Sequence, residues 1–363
     1  MKITSVKSFV HPDFPNIIYI EIGTDAGVYG IGESYYFGRT VATFVEEFVA
    51  PTLIGLDPAN IESISRKLTT YIGALSSGVE MRAKSAVDIA LWDIFGKITG
   101  QPIGRFFGGR LREKVMPYAS LLMDEPKIMN ANLTELRGQG FKAFKIGWGT
   151  FGRIDTANDE LLVKSARQAI GDDCFLAVDA GGSDAYWRGN LRWAINASKM
   201  LADYNVGWFE EALRPDDLAD FVELRKQSPV PISGCEVLTR RQSFTPFITE
   251  RAFDIIQPDV TKVGGIGEFR RIAAMADEYA IRVIPHGWNT AIGLAVDLQL
   301  SSAILTAEKV EYCTGSAYVD DLATEPWKLD SDGLLEIPTK PGIGFELDPD
   351  KVEKYSGVRG FLD

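Results

Sequence analysis

The chain has 363 residues, of which 45% are hydrophobic, and its 38 basic and 50 acidic side chains give a formal net charge of −12. That balance sets nucleic acid aside as a partner, since phosphate binding needs a basic face, while the length allows one large barrel with a cap or two domains. No run reaches the roughly 18 apolar residues of a membrane span, the N-terminus lacks a signal-peptide pattern, and Cys174, Cys235 and Cys313 are too few and scattered for a disulfide framework, so a cytoplasmic protein is expected.

In chain order, residues 17–24 and 28–33 read as two strands joined by Asp25-Ala26-Gly27, a hairpin with turn residues in place. Helical spacing follows, notably over 83–97, and Thr99-Gly100-Gln101-Pro102 breaks it. Residues 1–112 are therefore expected to form an α+β capping domain. From there short apolar runs recur at 115–121, 141–147, 175–180, 207–212, 230–236, 253–260, 282–287 and 310–315, each the length of a buried strand. Helical stretches at 159–169, 191–204 and 267–279 lie between them; the last carries Ile272, Met275, Ala276 and Tyr279 on one stripe. Strand–helix alternation repeated this way predicts an α/β fold with a parallel (β/α) barrel of TIM type over 113–322. The remaining segment, 323–363, returns to strand-like patterning at 334–345 and is expected to pack back on the cap.

In such a barrel the active site gathers at the C-terminal ends of the strands. The polar residues closing the apolar runs are Lys145, Asp179, Glu210-Glu211, Glu236, Asp259, His286 and Glu311, spaced one β/α unit apart. Asp179, Glu210 and Glu236 on adjacent strands make an oxygen-rich set suited to a hard cation such as Mg²⁺. The mixed His/Cys set that zinc prefers is missing. Three carboxylates held together without a cation would repel one another and be driven to bind protons. Asp259, one strand before His286, can accept from one ring nitrogen and raise the basicity of the other. The only other histidine, His11, is expected at the surface of an N-terminal loop, with a cap-loop contact to substrate as the alternative.

These residues resemble the enolase superfamily, and within it the mandelate racemase/muconate lactonizing enzyme family on its mandelate racemase-like side. The resemblance is carried by Gly32-Glu33, by Ser85-Ala86-Val87-Asp88-Ile89-Ala90-Leu91-Trp92-Asp93, by Gly140-Phe141-Lys142-Ala143-Phe144-Lys145, and by Val178-Asp179-Ala180, Trp208-Phe209-Glu210-Glu211 and Cys235-Glu236. It is completed by Gln257-Pro258-Asp259-Val260-Thr261-Lys262-Val263-Gly264-Gly265 and Pro285-His286-Gly287. It implies a (β/α)7β barrel, one Mg²⁺ per subunit, a homo-oligomer and a small-molecule carboxylate substrate. It also implies that the cation holds the substrate carboxylate while a base removes the neighbouring α-proton. Lys145 would be an electrostatic partner of that carboxylate or a metal ligand. Glu311 would be an acidic donor beside it, which requires that it stay protonated.

The family's second strand often reads Lys-x-Lys, whereas here it is Lys145-Ile146-Gly147, so the second base is missing. Its Asp-x-Asn is Asp179-Ala180-Gly181 and its Glu-Glu-Pro is Glu210-Glu211-Ala212, and the two glycines predict a roomier pocket near the metal. What survives is a one-face reaction in which His286 removes the α-proton and then, as imidazolium, protonates a leaving β-hydroxyl. The expected enzyme is a lyase, an acid-sugar (aldonate or aldarate) dehydratase giving a 2-keto-3-deoxy acid. The alternatives are a cycloisomerase or epimerase on a sugar acid or lactone, and a non-catalytic barrel kept for binding. Glu211, Trp148, Trp187, Arg240 and His11, with Arg241 beside them, are the candidate contacts to the rest of the substrate. The stretches 14–19 and 35–39 are candidate cap loops.

Overall fold

A computed structural model of the protein describes residues 1–11, 14–69, 77–314 and 322–356. Strands β1 (Ile3–Val10), β2 (Ile17–Thr24) and β3 (Tyr29–Tyr35) form an antiparallel sheet in that order. At the predicted hairpin Thr24 Oγ1 donates to the Val28 carbonyl at 2.7 Å, and Gly27 supplies the positive φ of 71° that closes the turn. Residues 17–19 belong to β2, so half of the stretch expected as a first cap loop is strand.

Helix α1 (Gly38–Phe44) passes through a π-turn at Val45–Val49 into α2 (Ala50–Leu53), and α3 (Ile61–Lys67) and α4 (Val79–Thr99) complete the cap. The 21-residue α4 is longer than its sequence periodicity suggested. It is buried along most of its length, so polar interruptions such as Lys84, Ser85 and Asp88 are interface residues rather than a solvated face. β3 lies directly against it: a Cβ at Gly32 would fall 1.9 Å from the Ala86 carbonyl oxygen. Only glycine permits that approach.

The barrel alternates β4 (Lys114–Leu122), α5 (Pro126–Gly138), β5 (Ala143–Gly147), α6 (Thr156–Ile170), β6 (Phe175–Asp179), α7 (Leu191–Asp203), β7 (Trp208–Glu210) and α8 (Leu218–Gln227). It continues through β8 (Ile232–Gly234), α9 (Arg240–Thr249), β9 (Ile255–Ile256), α10 (Ile266–Glu278), β10 (Arg282–Val283), α11 (Ala291–Ala303) and β11 (Lys309–Cys313). Eight strands with seven intervening helices make the (β/α)7β barrel. Parallel ladders run in the order β10-β9-β8-β7-β6-β5-β4-β11. Among the described residues β10 and β11 are joined by side chains instead of a ladder: Thr306 Oγ1 accepts from the Val283 N–H at 3.0 Å, and Arg282 pairs with Glu308. Gly315, the end of the last predicted run, lies outside the described residues.

Tyr118, Ala143, Ala177, Trp208, Ile255 and Ile284 fill the barrel interior as a buried cluster. Large side chains pointing inward from alternate positions make this a solid floor beneath the mouth. The tail returns through β12 (Leu335–Glu336), antiparallel to the start of β4. It then reaches the cap, where the Ile343 N–H donates to Asp93 Oδ1 at 3.0 Å. Among the described residues no helix is long and apolar enough to cross a membrane.

Candidate active site

The strands stop where the chemistry begins. β6 ends on Asp179 and β7 on Glu210, which are direct neighbours in the ladder, and Glu236 follows β8 by two residues. Glu211 and Cys235 take positive φ values of 45° and 86°, turning the chain out of the sheet at the site itself. Asp179, Glu210 and Glu236 are buried and each offers an oxygen within 4.8 Å of the others. Burial pushes the Asp179 carboxyl well above its usual range, and the charge of Glu210 pushes it further. That is the penalty expected for assembling buried carboxylates, which the charge of Lys145 only partly offsets, and an all-oxygen set of this size suits a hard divalent cation.

Glu210 is fully enclosed and held by three donors. Lys145 Nζ lies 2.7 Å from Oε1, while Trp208 Nε1 and Gln257 Nε2 reach Oε2 at 2.9 and 2.8 Å. Trp208 can do this because residues two apart on a strand share a face. Lys145 also pairs with Glu311 at 2.9 Å. Burial alone would favour the neutral amine, but Glu210 and Glu311 reverse this and raise Lys145 well above the ordinary lysine range. It is thus a buried cation shared by two carboxylates, and removing one member of such a cluster costs about 3–5 kcal/mol.

Glu311 departs from the expectation of a protonated donor. Burial would raise its carboxyl, but Lys145 first and then His286 outweigh this and lower it. The Gly287 N–H donates to its Oε2 at 2.9 Å and the Tyr118 hydroxyl does so at 3.3 Å. These four groups favour a carboxylate, so Glu311 is an acceptor here.

His286 sits on the loop after β10. Its Nδ1 lies 2.8 Å from Asp259 Oδ2, and its Nε2 faces the carboxylates, 3.1 Å from Glu236 Oε2. Burial would hold Asp259 up, but Lys262 and His286 outweigh it and keep the group well below the usual carboxylate range. For His286 burial acts downward, while Glu236 first, and Glu311 and Asp259 after it, raise the imidazole well above its usual value against the opposing charge of Lys262.

Lys145, Asp179, Glu236, His286 and Glu311 line one cavity of about 210 Å³, together with Tyr36, Ser120, Leu121, Leu122, Gly147, Trp148 and Trp288. Tyr36 comes from the 35–39 stretch expected to overhang the site. The predicted extra room is not there. A Cβ at Gly147 would meet the Asp179 Cβ at 2.8 Å, and a Cβ at Gly181 would meet the Trp148 ring at 2.6 Å. Trp148, at a φ of 61°, swings its indole into the space that Gly181 leaves.

Of the substrate contacts expected from sequence, Trp148 alone lines this cavity. Glu211 turns away and accepts from Ser183 Oγ at 2.6 Å. Trp187 is fully buried against Trp193, with the Arg153 guanidinium over its ring. Arg240 and Arg241 open α9 and line a separate cleft with Lys84 and Glu268; Arg241 is tied to Glu268 at 2.8 Å. His11 is buried rather than at the surface, and its Nδ1 accepts from the Phe14 N–H at 3.1 Å. Lys262, which sequence reading left without a role, lines the cavity and pairs with Asp259 at 3.0 Å. Its only sequence signal was its place three residues beyond the dyad carboxylate.

A barrel with three carboxylates across its mouth from an Asp–His pair agrees with what comparison with other proteins finds. The model of the mandelate racemase / muconate lactonizing enzyme N-terminal domain matches residues 8–108, and that of the enolase C-terminal domain-like family matches residues 129–351. The chain belongs to the mandelate racemase/muconate lactonizing enzyme family of the enolase superfamily, and it is an enzyme. It is 32% identical to a D-galactarolactone cycloisomerase of Agrobacterium fabrum over 93% of this chain and 90% of that protein. It is 31% identical to a D-xylonate dehydratase of Haloferax volcanii over 98% of this chain and 89% of that one. The crystal structure of the 3,6-anhydro-D-galactonate cycloisomerase from Zobellia galactanivorans superimposes with a TM-score of 0.89 at 29% identity, covering 98% of this chain and 99% of the other.

Proposed function

We propose that the protein is a Mg²⁺-dependent dehydratase of a sugar acid, an aldonate or aldarate, with His286 as the one base. The observation that carries this reading is the asymmetry of the cavity. The Asp259–His286 pair stands on one side, while the position of a second base is Gly147, backed by Asp179. His286 Nε2 takes the α-proton, and Asp259 holds the ring by Nδ1 so that the reactive nitrogen faces the substrate. Asp179, Glu210 and Glu236 would hold the cation. Bound there, it supplies positive charge to the enediolate oxygens and takes up the Glu236 charge that otherwise favours the imidazolium. Lys145 pairs with Glu210 and Glu311 and adds positive charge beside the substrate carboxylate.

Cycloisomerisation is the second reading, favoured by the two cycloisomerases among the relatives. The chemistry differs in one respect: the β-oxygen that leaves belongs to a ring, so the ring opens and no water is lost. The deciding experiment incubates protein and Mg²⁺ with a panel of open-chain sugar acids, lactones and anhydro sugar acids in D₂O. Proton NMR and a 2-keto acid assay follow the reaction. Keto acid from an open-chain acid establishes the dehydratase; keto acid only from cyclic substrates establishes the cycloisomerase. Deuterium at the α-carbon with no keto acid from any substrate would overturn both.

A further inference from the structure

We propose that Lys262 is a second catalytic residue, whose ammonium gives a proton to the β-oxygen of the substrate as the C–O bond breaks, on the same face as His286. The inference rests on the α-proton abstraction proposed above. Lys262 Nζ lies 3.0 Å from Asp259 Oδ2, the same oxygen that sits 2.8 Å from His286 Nδ1. The imidazole and the ammonium are therefore within two hydrogen-bond lengths of each other.

Lys262 is 2% exposed and lines the cavity that holds His286, Glu236 and Asp179. An ammonium carries three donors, and among the described residues only Asp259 accepts from it; the Tyr36 ring lies 5.8 Å from Nζ. A buried donor without a protein acceptor is costly unless a ligand atom supplies one. Lys145, the other cavity lysine, differs because Glu210 and Glu311 already engage it.

The chemistry needs such a group, because hydroxide is a poor leaving group. His286 Nε2 takes the α-proton and the C–H electron pair becomes the C=C bond. The β C–O bond breaks toward oxygen, which takes a proton from Lys262 and leaves as water, or remains as a new hydroxyl where a ring opens. The imidazolium then returns its proton to the β-carbon of the enol, and the enol hydroxyl proton restores the ammonium. Each group ends in its starting state and the product is the 2-keto-3-deoxy acid.

A substrate analogue with fluorine in place of the β-hydroxyl tests this, since fluoride leaves with little help from an acid. Lys262→Met is expected to lose about 10²- to 10⁴-fold in rate on the hydroxy acid but no more than about tenfold on the fluoro analogue. Lys262→Arg, which keeps the ion pair with Asp259 but is a far weaker acid, is expected to show the same split. His286→Asn is expected to lose both substrates. Equal losses on the two substrates in Lys262→Met, or full activity in Lys262→Arg, would show that Lys262 only positions or charges the dyad and would overturn the proposal. Full activity of His286→Asn would instead refute the proton abstraction beneath it, and this inference with it. Unchanged Mg²⁺ binding in the variants is the control for folding.

Discussion

Asp179 Cβ would sit 2.8 Å from a Cβ at position 147, closer than real Cβ atoms approach, so the glycine and the metal carboxylate share one piece of space. Gly147→Ala is expected to push Asp179 aside and weaken Mg²⁺ binding about 10- to 100-fold, as disturbing a ligand's support does; titration calorimetry would show it, and unchanged affinity would mean that Asp179 is not a ligand. His286→Asn preserves size and one polar contact to Asp259 while removing the base. Turnover should fall by at least about 10²-fold, with melting temperature and cation binding kept, and substrate NMR beside a thermal melt reads both. Of the residues that sequence made legible, Asp179, Glu210, Glu236, Asp259 and His286 stand where an apolar run ends, at the barrel mouth, while Lys145 and Glu311 lie within β5 and β11. Trp187 lies in the loop after β6 and Arg240 opens α9, where no strand periodicity fixes direction. Trp187 turned into the core and Arg240 toward another cleft, while Lys262, in equally irregular chain, turned inward.

At the scale of elements, the strands are shorter than their apolar runs: 253–260 yields only Ile255–Ile256 in β9. Burial made the rest of that run look like strand, although its backbone already turns, with Thr261 N–H and Oγ1 donating to Asp259 Oδ1 at 2.8 and 2.6 Å. Such turns are secured by the cap. Ser34 Oγ donates to the Thr261 carbonyl at 2.7 Å, the Gly264 N–H donates to Ser85 Oγ at 2.8 Å, and the Thr290 N–H donates to Glu33 Oε1 at 2.9 Å. The Gly32-Glu33 and Ser85–Asp93 signatures are thus the residues by which β3 and α4 grip the loops carrying the dyad. That grip has a pH dependence. Burial pushes the Glu33 carboxyl up to about 7, against the hydrogen bonds from Thr290. Its folded-state value lies above its unfolded one, so its contribution is complete below about pH 4.5 and is lost as pH rises through about 7. Stability should decline over that window by on the order of 3 kcal/mol from this group. Glu33→Gln, which can still accept from the Thr290 N–H and donate to its hydroxyl, should flatten the decline. Denaturant midpoints between pH 4.5 and 8 test this, and an unchanged slope in the variant would refute it.

Across the whole molecule, Asp93 of α4 joins three parts of the chain. Its carboxylate accepts from the Ile31 N–H of β3 at 3.1 Å and from the Ile343 N–H of the tail at 3.0 Å, and pairs with Lys97 at 2.7 Å. The tail reaches it after β12 has paired with the barrel through β4. Cap, tail and barrel are therefore cross-tied at points that separate folding would leave as unpaired buried groups, each costing about 1–3 kcal/mol. The three carboxylates proposed to hold Mg²⁺ lie wholly on barrel strands and loops, which allows a test of that coupling. A cation that binds only the folded state adds RT ln(1 + [L]/Kd), about 2.7 kcal/mol at a hundredfold excess over Kd. Mg²⁺ should accordingly shift a single calorimetric transition that includes the cap, and Glu236→Gln should abolish most of the shift by removing one of three ligands. Were two transitions seen, with Mg²⁺ moving only the later one, the cap would be unfolding on its own. The hydrogen bonds that Glu33 and Ser85 accept and Ser34 donates would then be too weak to hold the dyad loops, and His286 would owe its position to the barrel alone.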